Sequence, residues 1–267
     1  MRKFVPFLKA NPTVAVLRLQ GVIASGGRAG ASLNDSGLAA TIERAFSKGK
    51  PDAVAIALNS PGGSPVQSSL IAARIRRLAA EKEIPVYAFV EDVAASGGYW
   101  LACAADEIWV DDSSIIGSIG VISAGFGFHD LIARHGIERR VHTAGKSKSM
   151  LDPFRPEREE DVARLLDLQG QIHQSFIRHV TQSRGDRLKD GTELFNGDIW
   201  VGQAGVDLGL ADGIGHLVPK MKQQFGDKVK FRVYGARRSL WQRLGAQIAT
   251  SVGETIEDRA HWARFGL

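Results

Sequence analysis

The chain has 267 residues, 44% of them hydrophobic and 24% charged, which suits one large α/β domain or two small ones with a buried core. Its net charge of +5 is uneven: residues 1–10 carry +3, residues 220–267 carry +6, and 11–219 carry −4. A mildly acidic body between basic ends, without basic-aromatic interleaving, excludes a nucleic-acid groove and leaves no nucleic-acid partner expected.

In chain order, Met1 to Leu8 is too short, and too broken by Pro6, for a signal-peptide core. No stretch nears the ~18 apolar residues of a membrane span. The expectation is a chain made and kept in the cytoplasm. The basic ends also hold Phe4, Phe7, Trp241, Trp262 and Phe265, which suits either peripheral contact with an anionic membrane or a solvated face.

Thr13 to Ile23 alternates as a strand, 25–36 reads as a Gly/Ser-rich loop, and Leu38 to Phe46 as a helix. Asp52 to Leu58 is apolar on both faces, as in a buried parallel sheet. Pro61-Gly62-Gly63 breaks it. Ser64-Pro65 opens a helix whose inward stripe is expected at Val66, Leu70, Ile71, Ile75 and Leu78, with Arg74, Arg76 and Arg77 outward. Ile84 to Val90 is a third strand, leading to Ser96 and a helix over 97–105. Glu107 to Val110 is another strand, Ile115 to Ile122 an extended segment, Phe128 to His135 a helix and Glu138 to His142 a strand. A long helix over about 157–183 carries Val162, Leu165, Ile172, Phe176 and Val180 on one side. A Gly-rich stretch over 195–215, a helix over 217–225, a strand over 230–233 and a weakly amphipathic tail from Ser239 complete the chain. Alternating strands and helices predict an α/β class with right-handed crossovers.

Ser96, in Ala95-Ser96-Gly97-Gly98-Tyr99-Trp100, stands at a strand-to-helix junction with no bulky neighbour. Two glycines admit a substrate backbone, and the opening helix offers free N–H groups. This is the setting of a nucleophilic serine. A hydroxyl needs a base. His142 is the best placed of seven histidines, although each suits ordinary surface or packing roles as well. The Gly-x-Ser-x-Gly elbow is absent, because Ala94 occupies its first glycine. Lysine can also serve when burial lowers its pKa from about 10.4 to about 7, at roughly 4–5 kcal/mol. Lys148, after the Ala144-Gly145 turn, is the candidate; Lys146 reads as an ordinary exposed lysine. Both bases stay open on the residues alone. Gly63 and Gly97 each follow a strand and could converge N–H groups on one oxyanion, although Pro-Gly-Gly is commonly just a turn. The lone Cys103, among small apolar residues, reads as buried packing. No cluster has metal-ligand spacing and no phosphate or dinucleotide loop is complete, so no metal and no cofactor is expected.

Asn59-Ser60-Pro61-Gly62-Gly63, Ala95-Ser96-Gly97-Gly98-Tyr99, Ile116-Gly117-Ser118-Ile119-Gly120-Val121-Ile122 and Gly145-Lys146-Ser147-Lys148-Ser149 with Pro153-Phe154 occur in this order. From about Val14 to Val218 the chain resembles the signal peptide peptidase A (protease IV) family, in its short single-catalytic-domain bacterial form. The resemblance implies a ClpP/crotonase-like α/β fold with helical appendages, in one peptidase domain over 1–267 (catalytic core 11–218, basic extension 219–267). It implies a Ser-Lys dyad, with Ser96 as nucleophile, Lys148 as general base, Ser118 orienting the lysine, and Gly63 and Gly97 as oxyanion donors. It further implies a homo-oligomer with intersubunit active sites, Lys148 serving its own or a neighbour's Ser96, and substrates that are signal peptides and other unfolded or hydrophobic peptides. Many members carry a membrane anchor that is not seen in this sequence, so peripheral contact through the basic ends is the expected substitute. Two competing readings share the fold: a non-catalytic peptide-binding assembly at a membrane surface, and a crotonase-type acyl-CoA enzyme.

Overall fold

Three apolar segments with few charges, each long enough for a strand and short of a helix, build the centre of the molecule. In the computed structural model, which describes residues 11–25, 32–190, 192–235 and 262–266, they are β1 (Thr13–Gln20), β2 (Ala53–Ser60) and β3 (Val86–Ala95). β1, β2 and β3 run parallel, with Val16 opposite Ala55 and Ile56 opposite Ala88. Their continuous hydrophobicity follows from covered faces on both sides. Ala15, Leu17, Leu19, Ile56 and Leu58 pack under α1 (Asp35–Ser47) and α2 (Pro65–Lys82), whereas Val14, Val16, Ala55, Tyr87 and Phe89 meet Met221 and, less buried, Phe225 of α7 (Leu217–Phe225).

The helix signals act as expected. Asn34 caps α1 by accepting from Gly37 N at 2.9 Å, and Ser64 caps α2, whose first residue is Pro65. The inward stripe of α2 differs from the sequence expectation. Ile71, Ile75 and Leu78 are buried, but Val66 and Leu70 are 64% and 46% exposed, and Ser68 and Ala72 take the inner face. A small residue is needed there because the next helix comes close. That helix is α3 (Gly97–Ala102), shorter than its apolar run suggested.

Beyond β3 the sheet divides. β4 (Glu107–Val110) pairs with the first half of β3, and β5 (Ile115–Gly117) with its last three residues. β6 (Ile199–Val201) closes this edge antiparallel to β5, β7 (Gly213–Ile214) pairs with β4, and β8 (Lys230–Tyr234) lies at the other edge against β1. Glu138 to His142, expected as a strand, is exposed and pairs with no described strand. It follows α4 (His129–Arg134), and with Val141 its one apolar residue it has no face to bury and no partner ladder among the described residues. The loop over 25–36 is described only in part, and most of the tail from Ser239 lies outside the described residues.

The long helix α5 (Glu159–Arg184) docks by its second half. Phe176 and Val180 are buried, and Trp100 stacks on Phe176 and His179 at 4.9 and 4.7 Å. Arg184, almost fully buried, donates to Asp212 at 2.7 and 3.1 Å and to Gly209 O at 2.8 Å. Cys103 is buried and its thiol is pushed up to about 12, chiefly by loss of water, so it is inert packing.

His179 donates from Nε2 to the Trp100 carbonyl at 3.0 Å, while burial pulls its pKa below the ordinary histidine value. The unfolded chain therefore takes up a proton at a higher pH than the folded one. Folding stability should be full above about pH 6.5 and decline as the pH falls through the lowered value. Chemical denaturation from about pH 8 to about pH 5 should show this slope, and His179→Gln should flatten it. Equal slopes in both chains would contradict it.

Candidate active site

The register of two neighbouring parallel strands builds the site. Ala95 of β3 lies opposite Gly117 of β5, so the next residues, Ser96 and Ser118, leave the sheet side by side. Both have φ +51°, a left-handed conformation that side chains larger than glycine rarely adopt. Each is held in it by a backbone bond: Ser96 N donates to Gly117 O at 2.8 Å, and Ser118 N to Asp198 O at 2.7 Å. Such backbone costs about 1–3 kcal/mol per residue and persists only where its surroundings impose it. Ser96 occupies the N-cap position of α3 but makes no capping bond through its side chain. Its hydroxyl is thus not consumed by the helix it precedes.

Gly63 and Gly97 come together beside it. A methyl placed on Gly97 would lie 3.3 Å from Gly63 N and 2.4 Å from Ser68 Oγ, which explains both the glycine and the small residue on α2. Gly63 has φ +136°, and a methyl there would strike the Ile23 carbonyl at 2.0 Å. Ile23 itself donates to Gly62 O and accepts from Ser64 N, which fixes the loop. Among the described residues the N–H groups of Gly63 and Gly97 have no protein acceptor. Two unspent donors next to an unspent hydroxyl can stabilise negative charge on a carbonyl oxygen.

A cleft of about 280 Å³ opens here, lined by Ser96, Ser118, Gly120, Val121, Ile122, His173, Asn196, Gly197 and Arg264. His173, Asn196 and Arg264 were not singled out as site residues, because α5, the 195–198 turn and the end of the chain reach the cleft only through long-range packing. His173 donates from Nε2 to Ile119 O at 3.0 Å, bracing the wall next to Ser118. His142, the histidine base considered from sequence, is exposed and does not line the cleft.

Lys148 does not line it either. It lies exposed in a turn over 145–151, where Lys148 N donates to Gly145 O at 3.2 Å and Met150 N to Ser147 O at 3.2 Å. Leu151, at φ +55°, donates its N–H to Asp161 at 3.4 Å, tying the turn to the start of α5. Lys146 is paired with Glu160 at 3.1 Å, whereas Lys148 has no carboxylate within 4.0 Å among the described residues. The segment carrying it exposes Ile122, Phe126, Leu131 and Ile137, with Phe126, Phe128 and Phe154 in one aromatic row. Among the described residues no group of histidine, cysteine and carboxylate side chains is arranged to hold a metal, and no helix is long and apolar enough to cross a membrane.

The profile of peptidase family S49 matches residues 79–225, more than half the chain and the whole stretch from α2 through Ser96 and Lys148 to α7. The chain belongs to peptidase family S49. That is a family of peptidases, and two of the relatives it resembles carry protease names. A probable protease SohB of Haemophilus influenzae is 32% identical over 204 residues, covering 75% of this chain and 56% of its own length. The chloroplastic serine protease SPPA of Arabidopsis thaliana is 34% identical over 173 residues, covering 63% of this chain and 25% of itself. A Na(+)/H(+) antiporter NhaA of Brucella melitensis biotype 1 is 45% identical over 286 residues, which cover all of this chain and 39% of that protein. The chain thus spans less than two thirds of the length of each of these relatives. Among solved structures, the 1510-N membrane-bound stomatin-specific protease in complex with a substrate peptide superposes with a TM-score of 0.53 at 14% identity, covering 94% of this chain and 99% of that one. The expected ClpP/crotonase-like fold is therefore the fold found.

Proposed function

We propose that this S49 chain is an endopeptidase that cleaves unfolded or hydrophobic peptides, signal peptides among them, with Ser96 as nucleophile and Lys148 of a neighbouring copy as general base. The observation that carries it is the meeting of Ser96 and Ser118 in one cleft, beside two N–H groups, those of Gly63 and Gly97, that have no protein acceptor among the described residues. A non-catalytic assembly gains nothing from holding Ser96 in a costly conformation. An acyl-CoA enzyme of the same fold has no use for a free serine beside a second serine.

In the proposed sequence, Lys148 Nζ accepts the Ser96 proton as Oγ bonds to the scissile carbonyl carbon. The carbonyl oxygen becomes an oxyanion held by the N–H groups of Gly63 and Gly97. Lys148 then returns the proton to the departing amine, and the C–N bond breaks to leave an acyl-serine. Water, deprotonated by the same lysine, bonds to the acyl carbon; the C–Oγ bond then breaks, and the lysine returns the proton to Ser96 Oγ. Ser118 would orient the ammonium through its hydroxyl.

Exposure of Lys148 and of the apolar row beside it supports delivery between subunits. A lone copy leaves that apolar segment in water, and such patches commonly mark interfaces. In a ring of copies the segment would cover a neighbour and carry its lysine into the neighbour's cleft. The assembly proposed is a homo-oligomer. A fluorophosphonate probe should label Ser96 alone among the serines, read by peptide mass spectrometry, in a preparation that degrades casein. Cleavage of casein with Ser96 unlabelled would overturn the assignment.

A further inference from the structure

The edge of the sheet farthest from the β5–β6 edge carries a second feature that the peptidase reading does not use. A cleft of about 690 Å³ lies there, lined by Arg44, Lys48, Arg232, Val233, Tyr234 and Gly235, with no acidic residue among the described residues of its wall. Arg44 lies in the last turn of α1 and Lys48 is its C-cap residue, in extended backbone, with its N–H donating to the Arg44 carbonyl. Arg232 comes from β8, the edge strand, and its guanidinium passes against Gly49. A methyl on Gly49 would fall 1.6 Å from Arg232 Nη1. Arg232 and Tyr234 both reach the Lys48 carbonyl at 3.4 Å, which ties the strand to the end of α1.

None of the three cations has a carboxylate within 4.0 Å among the described residues. The acids nearest in sequence are committed elsewhere: Glu43 to Arg74 at 3.2 Å, and Asp52 to the N–H of Thr13 at 2.7 Å. Convergent cations without counter-charges repel one another, and an anion relieves that repulsion. Val233, 58% exposed, lies between Arg232 and Tyr234 on the same edge strand, with its side chain on the other face of that strand. An exposed valine adds nothing to the capture of a small soluble anion, but it suits a headgroup layer with apolar matter beneath. Past Gly235 the sequence continues Arg237-Arg238-Ser239-Leu240-Trp241, again basic with a large apolar residue.

We infer that the β8 edge is a docking surface for the phosphate headgroups of an anionic bilayer, gripped by Arg44, Lys48 and Arg232. β1 and β2 separate this edge from β3, the strand that ends at Ser96, and the segment carrying Lys148 leaves from the opposite side of the sheet. A bilayer held here therefore leaves the subunit contact and the peptide cleft unobstructed.

Co-sedimentation of the full chain with vesicles tests this. Vesicles of about three parts phosphatidylcholine to one part phosphatidylglycerol should bind the chain, pure phosphatidylcholine vesicles should not, and raising salt from about 0.05 M to about 0.5 M should release it. Arg44→Gln with Lys48→Gln should weaken binding about thirtyfold, and adding Arg232→Gln should bring the loss to on the order of a hundredfold. The double variant touches only exposed helix surface and guards against a misfolded triple variant; circular dichroism and an unchanged Tm report its fold. Double-variant binding within about twofold of the parent overturns the proposal. So does inorganic phosphate that binds the parent at millimolar concentration and displaces it from vesicles, since the site would then be for a soluble anion. Tighter binding to duplex DNA than to the anionic vesicles would equally overturn it.

Discussion

Replacing Ser96 by alanine is expected to lower casein or peptide hydrolysis by about ten-thousandfold while the chain stays folded. The expectation rests on Ser96 Oγ being the atom that bonds to the scissile carbonyl, with no neighbouring hydroxyl able to substitute. Ser118 is its nearest counterpart, but its hydroxyl is expected to face the lysine. Ser96→Gly should be just as inactive and should also be more stable. Ser96 holds φ at +51°, which glycine adopts freely, so the relieved strain should outweigh the added freedom of the unfolded chain by about 1 kcal/mol. A thermal unfolding series of parent, alanine and glycine forms separates the two effects. Equal Tm values for all three would remove the strain argument, and residual activity within about tenfold of the parent would remove the nucleophile.

Lys148→Ala is the second large effect, expected at about a thousandfold in kcat/KM, while Lys146→Ala should stay within about twofold. The two lysines sit two positions apart in the same exposed turn, yet Lys146 is spent on Glu160 and Lys148 is not. An exposed ion pair contributes little, so losing it should barely register. Steady-state kinetics on one fluorogenic peptide compares them directly. Comparable losses in both variants would assign the effect to the turn as a whole.

Much of this was legible because local chemistry and tertiary structure agreed. The apolar runs of β1, β2 and β3 needed only covered faces to become strands, and Ser64-Pro65 fixed the start of α2 by capping alone. Ser96 was readable from two following glycines; Gly97 is required by the closeness of Ser68 and Gly63, and Gly98 by that of the Ser60 carbonyl. What failed depended on partners distant in sequence. Val66 and Leu70 look like core on a helical wheel, but Ser68 must take the inner face because α3 approaches there. Glu138 to His142 was expected as a strand, yet no strand among the described residues offers it a ladder. His173, Asn196 and Arg264 join the Ser96 cleft from three remote parts of the chain, and no spacing rule connects them. Lys148 does not line the cleft of its own copy, and the proposal of a base supplied by a neighbour rests on assembly, which local sequence does not encode.

Subunit mixing decides the core of the account. Ser96→Ala and Lys148→Ala chains, each inactive alone, are unfolded together, refolded as a mixture and assayed on the same peptide. If the base crosses from one copy to the next, random assortment should restore roughly a quarter of parental turnover. Recovery no greater than the sum of the two dead proteins, in a particle shown by mass to contain both, would contradict a lysine supplied by a neighbour.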